Sequence, residues 1–213
     1  SDYDQYAVDQ DGDHKPNPWS SLPDALASAA NQLVKNHWKG GRPWGLEVHL
    51  PPAFDCTLAT ADLLKTFTDW GRLGIKGVRG EPLPAKLARE EASLLMPAGT
   101  YGPAFLTTGN FLAVKAYNLS DLYALFVTHL ADRIAGRGPY VEPWKKVIQL
   151  RERDVVFLQN RLTEAGFYSD RVDGKTGSRT RAAVGAWQKA NGLPQDCWPT
   201  AAMLKHMQAA KRQ

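Results

Sequence analysis

No apolar run in this 213-residue chain approaches the about 20 residues that a membrane span needs. The first residues also lack the basic and apolar regions of a secretory signal, which leaves the compartment open. Cysteine is scarce: Cys56 and Cys197 stand far apart with no CxxC or Cys/His spacing, so a zinc cluster is excluded. Their flanks read as different domains, and two buried free thiols are expected rather than a disulfide. Lysine and arginine never bunch, and a formal charge of +4 describes a solvated surface rather than a nucleic-acid footprint. Internal repeats and low-complexity tracts are absent as well. What remains is ordinary globular composition, 43% hydrophobic and 23% charged, in a chain long enough for one large or two small domains.

The stretch "SSLPDALASAANQLVKNHWKGG" predicts a helix capped by Ser20 or Ser21, with Pro23 in its first turn and Gly40–Gly41 beyond its end. Leu22, Leu26, Ala29, Ala30, Leu33 and Val34 mark its apolar face. "WGLEVHLP" alternates Leu46, Val48 and Leu50 as a strand would. "TADLLKTFTDWGRLG" is expected to be a second helix starting at Thr60, and "ASLLMPAG" and "GPAFLTT" two short strands. "SDLYALFVTHLADRIAG" reads as a helix capped by Ser120 and closed by Gly136. A Gly/Pro-rich break over 136–144 precedes three helical segments: "RERDVVFLQNRLTEAG", "SRTRAAVGAWQKANG" and "PTAAMLKHMQAAK".

Near the N-terminus, "AVDQDGDHKPNPW" sets Asp9, Asp11 and Asp13 on alternate positions, where their charges repel unless a cation neutralises them. A calcium loop takes oxygens from positions 1, 3 and 5, a carbonyl at 7 and a late carboxylate. Here those are Asp9, Asp11, Asp13, the Lys15 carbonyl and, as substitute for the closing glutamate, Asp24 in the next helix. The pattern is incomplete, with His14 at the usual glycine and Ser20 at the usual bidentate glutamate. Spacing alone leaves open a calcium loop and a solvated acidic turn capping the helix.

The tail carries a dense signature: Leu158-Gln159, Leu162, Gly166-Phe167, Val172-Asp173-Gly174, Gly177, Thr180, Ala183-Val184, Trp187-Gln188 and Gly192-Leu193. On these residues it resembles the three-helix peptidoglycan-binding domain over about 147–208. The motif residues Asp173, Gly174, Gly177, Thr180, Trp187 and Gln188 read as mostly structural, with Trp187 in the core at its helical spacing. Cys197 in "QDCWPT" stands where family members usually have glycine.

The stretches "YAVDQDGDHKPNPWSSLPDALASAANQLV", "LLMPAGTYGPAFL" and "NFLAVKAYNLSDLYALFVTHLADRIAG" resemble the catalytic domain of the lytic murein transglycosylase B family. The fold implied is α+β and mainly α: the C-terminal portion of a lysozyme-like catalytic domain with short strands over 1–140, then the three-helix domain over 147–213. The family's calcium loop falls at Asp9 to Asp24, so a structural calcium is expected. The activity implied is cleavage between N-acetylmuramic acid and N-acetylglucosamine with 1,6-anhydromuramic acid formation. One Glu acts there as acid and then base, because the attacking hydroxyl belongs to the substrate. That Glu is expected upstream of this chain. Glu47 on a strand, Glu81, Glu90 and Glu91 in a charged loop, and Glu152 and Glu164 in the tail do not replace it.

Of the groove residues, Tyr117, Asn118 and Tyr123 match the family's sugar-contacting positions, whereas Gln32 follows "SAAN" where relatives can place a tyrosine. The resemblance further implies a periplasmic monomer, with or without a membrane anchor, whose partners are glycan strands and stem peptides and not nucleic acid. A non-catalytic peptidoglycan-anchoring protein is the alternative reading.

Overall fold

The computed structural model describes residues 2–210. The chain is mainly helical with one small sheet. Two compact units form: Ser1–Gly45 with Thr107–Pro139, and Leu46–Leu106 with Tyr140–Gln213.

The first unit is built from α1 (Asp2–Tyr6), α2 (Leu22–Lys35), α4 (Gly109–Asn118) and α5 (Asp121–Ile134). Ser21 caps α2 by accepting the Asp24 N–H at its hydroxyl, and Pro23 fits the first turn, where no helical N–H is needed. Buried Asn110 closes the loop after α2: its amide accepts the Lys39 N–H at 2.8 Å and donates to the Lys39 and Arg42 carbonyls at 2.9 Å. Trp44 donates its indole N–H to Asp132 on α5 at 2.9 Å. The amphipathic spacing of α2 did specify a helix, but Leu22, Leu26 and Val34 are 70%, 64% and 62% exposed, so no described residue covers that stripe. On α5, Leu122, Phe126, Leu130 and Ile134 are likewise exposed at helical spacing.

The second unit holds a five-stranded sheet ordered β2–β4–β6–β1–β3, from β1 (Gly45–His49), β2 (Lys65–Thr66), β3 (Lys76–Gly77), β4 (Glu91–Leu95) and β6 (Ala104–Thr107), with β5 (Pro97–Thr100) between the last two in sequence. β1 pairs antiparallel with β3 (Val48 opposite Gly77), and β2 with β4 (Lys65 opposite Ala92). The helix expected from Thr60 is shorter. Lys65–Thr66 is drawn into the β4 ladder, and α3 (Phe67–Arg72) starts only where the Thr66 hydroxyl accepts the Asp69 N–H at 3.1 Å. Long-range pairing thus overrode a local helical pattern. Phe67, Trp70, Ile75, Leu94 and Leu106 form the core beneath the sheet, and Cys197 from the tail joins them.

The tail helices follow the sequence closely: α6 (Glu152–Glu164), α7 (Ser178–Ala190) and α8 (Ala201–Ala210), around Leu158, Leu162, Val184, Trp187, Met203 and Met207. The expectation of free thiols is overturned. Cys56 and Cys197 form a disulfide, with both residues 1% exposed and 141 positions apart. The flanks of the two cysteines are not separate. Asp55 accepts a hydrogen bond from Lys189 Nζ at 2.6 Å, and Tyr101 donates its hydroxyl to Asp196 at 3.0 Å. Arg179 donates to Asp62 at 3.2 Å and to Asp170 at 3.0 Å. Burial pushes the Asp55 carboxyl up, but hydrogen bonds from Lys189 and Thr57 outweigh it and hold the group at about 2. Gly185 makes the close approach possible, since a Cβ there would lie 2.1 Å from Cys197 Sγ. Cys197 itself sits at φ 51, the left-handed conformation that glycine adopts most freely.

Candidate functional site

The loop between α1 and α2 folds around one carboxylate. Asp24 is fully buried; its Oδ1 accepts the N–H groups of Gln10 at 2.7 Å and Asp11 at 3.2 Å, and its Oδ2 that of Asn17 at 2.8 Å. The Gln10 and Asn17 N–H groups, followed by the Asp11 N–H and the Ser21 hydroxyl, keep the acid below its usual range against the opposing effect of burial. Asp9 accepts the N–H of Gly12 at 2.7 Å and of His14 at 2.8 Å, each oxygen holding one. His14 takes φ 66, so histidine stands in the left-handed conformation that a calcium loop's glycine would adopt.

Carboxylate oxygens of Asp9, Asp11 and Asp24 lie within 4.8 Å of one another. Every donor in this set is a hard oxygen, which fits calcium or magnesium and not a thiophilic metal. Asp13 lies outside the group; its Oδ1 accepts the Lys15 N–H at 2.8 Å and so shapes the turn. The Lys15 carbonyl has no recorded hydrogen-bond partner among the described residues. The serines supply two contacts that spacing did not reveal: Ser21 donates to Asp11 at 2.6 Å, and Ser28 accepts the Val8 N–H at 3.0 Å.

The second cluster lies at the α4–α5 corner of the same unit. α4 was not foreseen as a helix. Thr108 caps it through the Asn110 N–H, and it ends at Leu119, whose φ of 53 reverses the chain. Ser120 then caps α5 through the Tyr123 N–H at 3.3 Å. This turn stacks Tyr117 and Tyr123 with ring centroids 5.9 Å apart and planes 14° from parallel. Tyr117 is 63% exposed and Asn118 is exposed beside it. A core role for Tyr117 is thereby excluded. The corner offers a flat aromatic face next to an amide, the combination that stacks on a sugar ring and hydrogen-bonds its substituents.

In the tail the motif residues converge on Gln159, which sequence reading placed in the pattern without a role. Its Nε2 donates to Asp173 and Thr180 at 3.1 Å and to the Lys175 carbonyl at 3.2 Å, while its Oε1 accepts the N–H groups of Asp173 and Gly174 at 3.1 and 2.9 Å. Gly174 has φ 71, and a Cβ there would lie 2.4 Å from Glu152 Cγ. Burial raises the Asp173 carboxyl, but the Lys175 N–H and the Gln159 amide bring it below its ordinary value. Gln188 repeats the device, accepting the Asp196 and Cys197 N–H groups at 3.0 and 3.1 Å and donating to Asp196. Trp187 is 8% exposed and meets His206 edge-on at 5.3 Å, so it belongs to the core. Gly177 occupies the cap position of α7.

The chain matches the Transglycosylase SLT domain family over residues 1–132 and the Putative peptidoglycan binding domain family over 151–209. No curated protein matches it. It is similar to SltB3 from Pseudomonas aeruginosa, solved with NAG-anhNAM-pentapeptide and with NAG-NAM-pentapeptide. Both comparisons give 45% identity and a TM-score of 0.89 over 97% of this chain, covering 56% and 55% of the SltB3 chains. SltB1 from the same organism is 25% identical at a TM-score of 0.54, covering 63% of this chain and 44% of that one. The chain thus spans little more than half the length of the SltB3 chains it matches. With its first 132 residues matched throughout, this chain belongs to the transglycosylase SLT-domain family and carries a peptidoglycan-binding domain behind it.

Proposed function

We propose that this chain is part of a lytic transglycosylase that cleaves the MurNAc–GlcNAc bond and leaves 1,6-anhydromuramic acid. The observation that carries the reading is the 45% identity over 97% of the chain to SltB3, a protein solved with an anhydro-sugar peptide. The exposed Tyr117–Tyr123 face and Asn118 are assigned to the sugar, and 147–213 to anchoring on peptidoglycan, with 1–140 as the catalytic portion. The unit that carries the tyrosine pair contains no glutamate, which favours an acid supplied from outside this sequence. The same fact favours, as the second reading, a module that only holds glycan.

Mass spectrometry of digested sacculi separates the two. This chain alone is expected to bind sacculi and release no anhydro-muropeptides. The full-length protein is expected to release products ending in 1,6-anhydromuramic acid, and purely reducing ends would defeat the assignment. Within it, Asn118→Ala is expected to lower turnover by roughly 2- to 10-fold, the worth of one neutral hydrogen bond, while leaving the melting temperature unchanged.

A structural calcium held by Asp9, Asp11 and Asp24, with the Lys15 carbonyl as a further ligand and Asp13 left to shape the turn, belongs to the same proposal. Calcium at a hundredfold excess over Kd is expected to raise Tm by roughly 5–10 °C. Asp11→Ala is expected to abolish the rise. Calorimetry with no heat at millimolar calcium would rule the site out.

Periplasmic location is supported by the buried disulfide, because such bonds persist in oxidising compartments. No helix of the described residues is long and apolar enough to cross a membrane.

A further inference from the structure

The segment that follows α5 reads as a linker, yet from Tyr140 onward it is a strap tied to the sheet unit. The Tyr140 ring meets Phe105 edge-on at 5.0 Å. The Glu47 carboxylate accepts the N–H groups of Val141 and Glu142, at 2.9 and 2.8 Å for the closest pairs. Lys145 donates its N–H to the Tyr101 carbonyl at 2.8 Å. Gly102 leaves room for the Trp144 ring, since a Cβ there would lie 2.9 Å from it.

Under this strap lies a cavity of about 320 Å³, within the range of small-ligand sites. Met96, Phe54 and Pro51 give it apolar walls, and Glu142 and Lys145 line it from the strap. His49 Nδ1 lies 3.7 Å from Glu142 Oε1, whereas the Lys145 ammonium has no carboxylate partner among the described residues. Three residues of chain reach at most roughly 10 Å, so the anionic and cationic groups are based within that distance of each other. An extended peptide of two or three residues separates its own ammonium and carboxylate by a similar length.

We propose that this cavity is a subsite for a short peptide end bearing a free ammonium and a free carboxylate, the carboxylate toward Lys145, the ammonium toward Glu142, and small side chains on Met96 and Phe54. The source we assign rests on the peptidoglycan reading: a stem peptide, in which a diamino acid supplies the ammonium. Backbone hydrogen bonds fix the strap, so the two charges are presented without ordering a loop on binding.

Calorimetric titration of the whole chain with trialanine, and with free stem pentapeptide in competition, tests this. Lys145→Met and Glu142→Gln are each expected to weaken trialanine about tenfold, the loss of one charge-assisted contact. Lys146→Met, which does not line the cavity, is expected to leave binding unchanged, and N-acetyl-trialanine amide to bind about a hundredfold more weakly. Trialanine is also expected to shift the Met96 methyl resonance. Absence of binding, or equal binding by both variants and wild type, would overturn the subsite. Sacculus co-sedimentation run beside it keeps the two readings apart. Retention of sacculi without peptide binding removes the subsite alone, whereas loss of sacculus retention removes the peptidoglycan assignment and leaves the trialanine data to judge the cavity.

Discussion

Replacing both disulfide cysteines by alanine, or reducing the native protein, is expected to destabilise the sheet-and-tail unit by about 4–5 kcal/mol, the chain-entropy value for a long closed loop. Calorimetry with and without reductant would show this as a Tm lower by roughly 10–20 °C. The effect is large because the bond spans 141 positions and both sulfurs are buried in the sheet core, where two cut ends would leave a cavity. Cys197 adds a second contribution through its φ of 51. The pair Cys56→Ala/Cys197→Gly should therefore be less damaging than Cys56→Ala/Cys197→Ala by about 1 kcal/mol, since only glycine takes that conformation freely. A reduced protein that melts within about 2 °C of the oxidised one would show that the surrounding ion pairs, Lys189–Asp55 and Arg179–Asp62, already hold the unit.

Gln159→Leu is expected to cost about 3 kcal/mol or more and to abolish retention on sacculi. Leucine fills nearly the same volume in a fully buried position, so packing is preserved and the loss is polar. The N–H groups of Asp173 and Gly174 lose their acceptor, each a desolvated group costing about 1–3 kcal/mol, whereas the Lys175 carbonyl keeps the Thr180 hydroxyl as donor. Gln159→Glu separates geometry from charge: it keeps the acceptor for the two N–H groups but faces the Asp173 carboxylate with a second one. It should be as damaging at neutral pH and less so in acid. Denaturant unfolding reads both. A shift of less than about 1 kcal/mol for Gln159→Leu would mean that the Thr180 and Tyr168 hydroxyls hold the loop without it.

The tail was legible because its determinants are local. The Gly174 turn, the α7 start and the apolar spacing of Leu158, Leu162, Val184 and Trp187 lie within about one supersecondary unit, and each specifies its own neighbourhood. The Asp9 loop was legible in part. Alternation picked out three like charges, yet only two of them meet Asp24, and the Asp13 carboxylate instead accepts the Lys15 N–H within its own turn. What sequence could not give is whatever depends on distant partners. Lys65–Thr66 pairs with β4 instead of starting a helix, and Cys56 meets Cys197 only once the short 3-10 turn Cys56–Leu58 packs on α7. The apolar stripe of α2 teaches the converse lesson, since periodicity predicts a face and says nothing about what covers it.

The bond between Cys56 and Cys197 also changes what a cut in the backbone means. A protease that nicks the Gly/Pro-rich stretch at 136–139, ahead of the strap, leaves both pieces joined through the sulfurs. The tail helices would stay tethered to the sheet, and only a reductant would let them part. Nicked protein should therefore run as one species on a non-reducing gel and as two on a reducing one, so shedding of the tail requires two chemically different events rather than one.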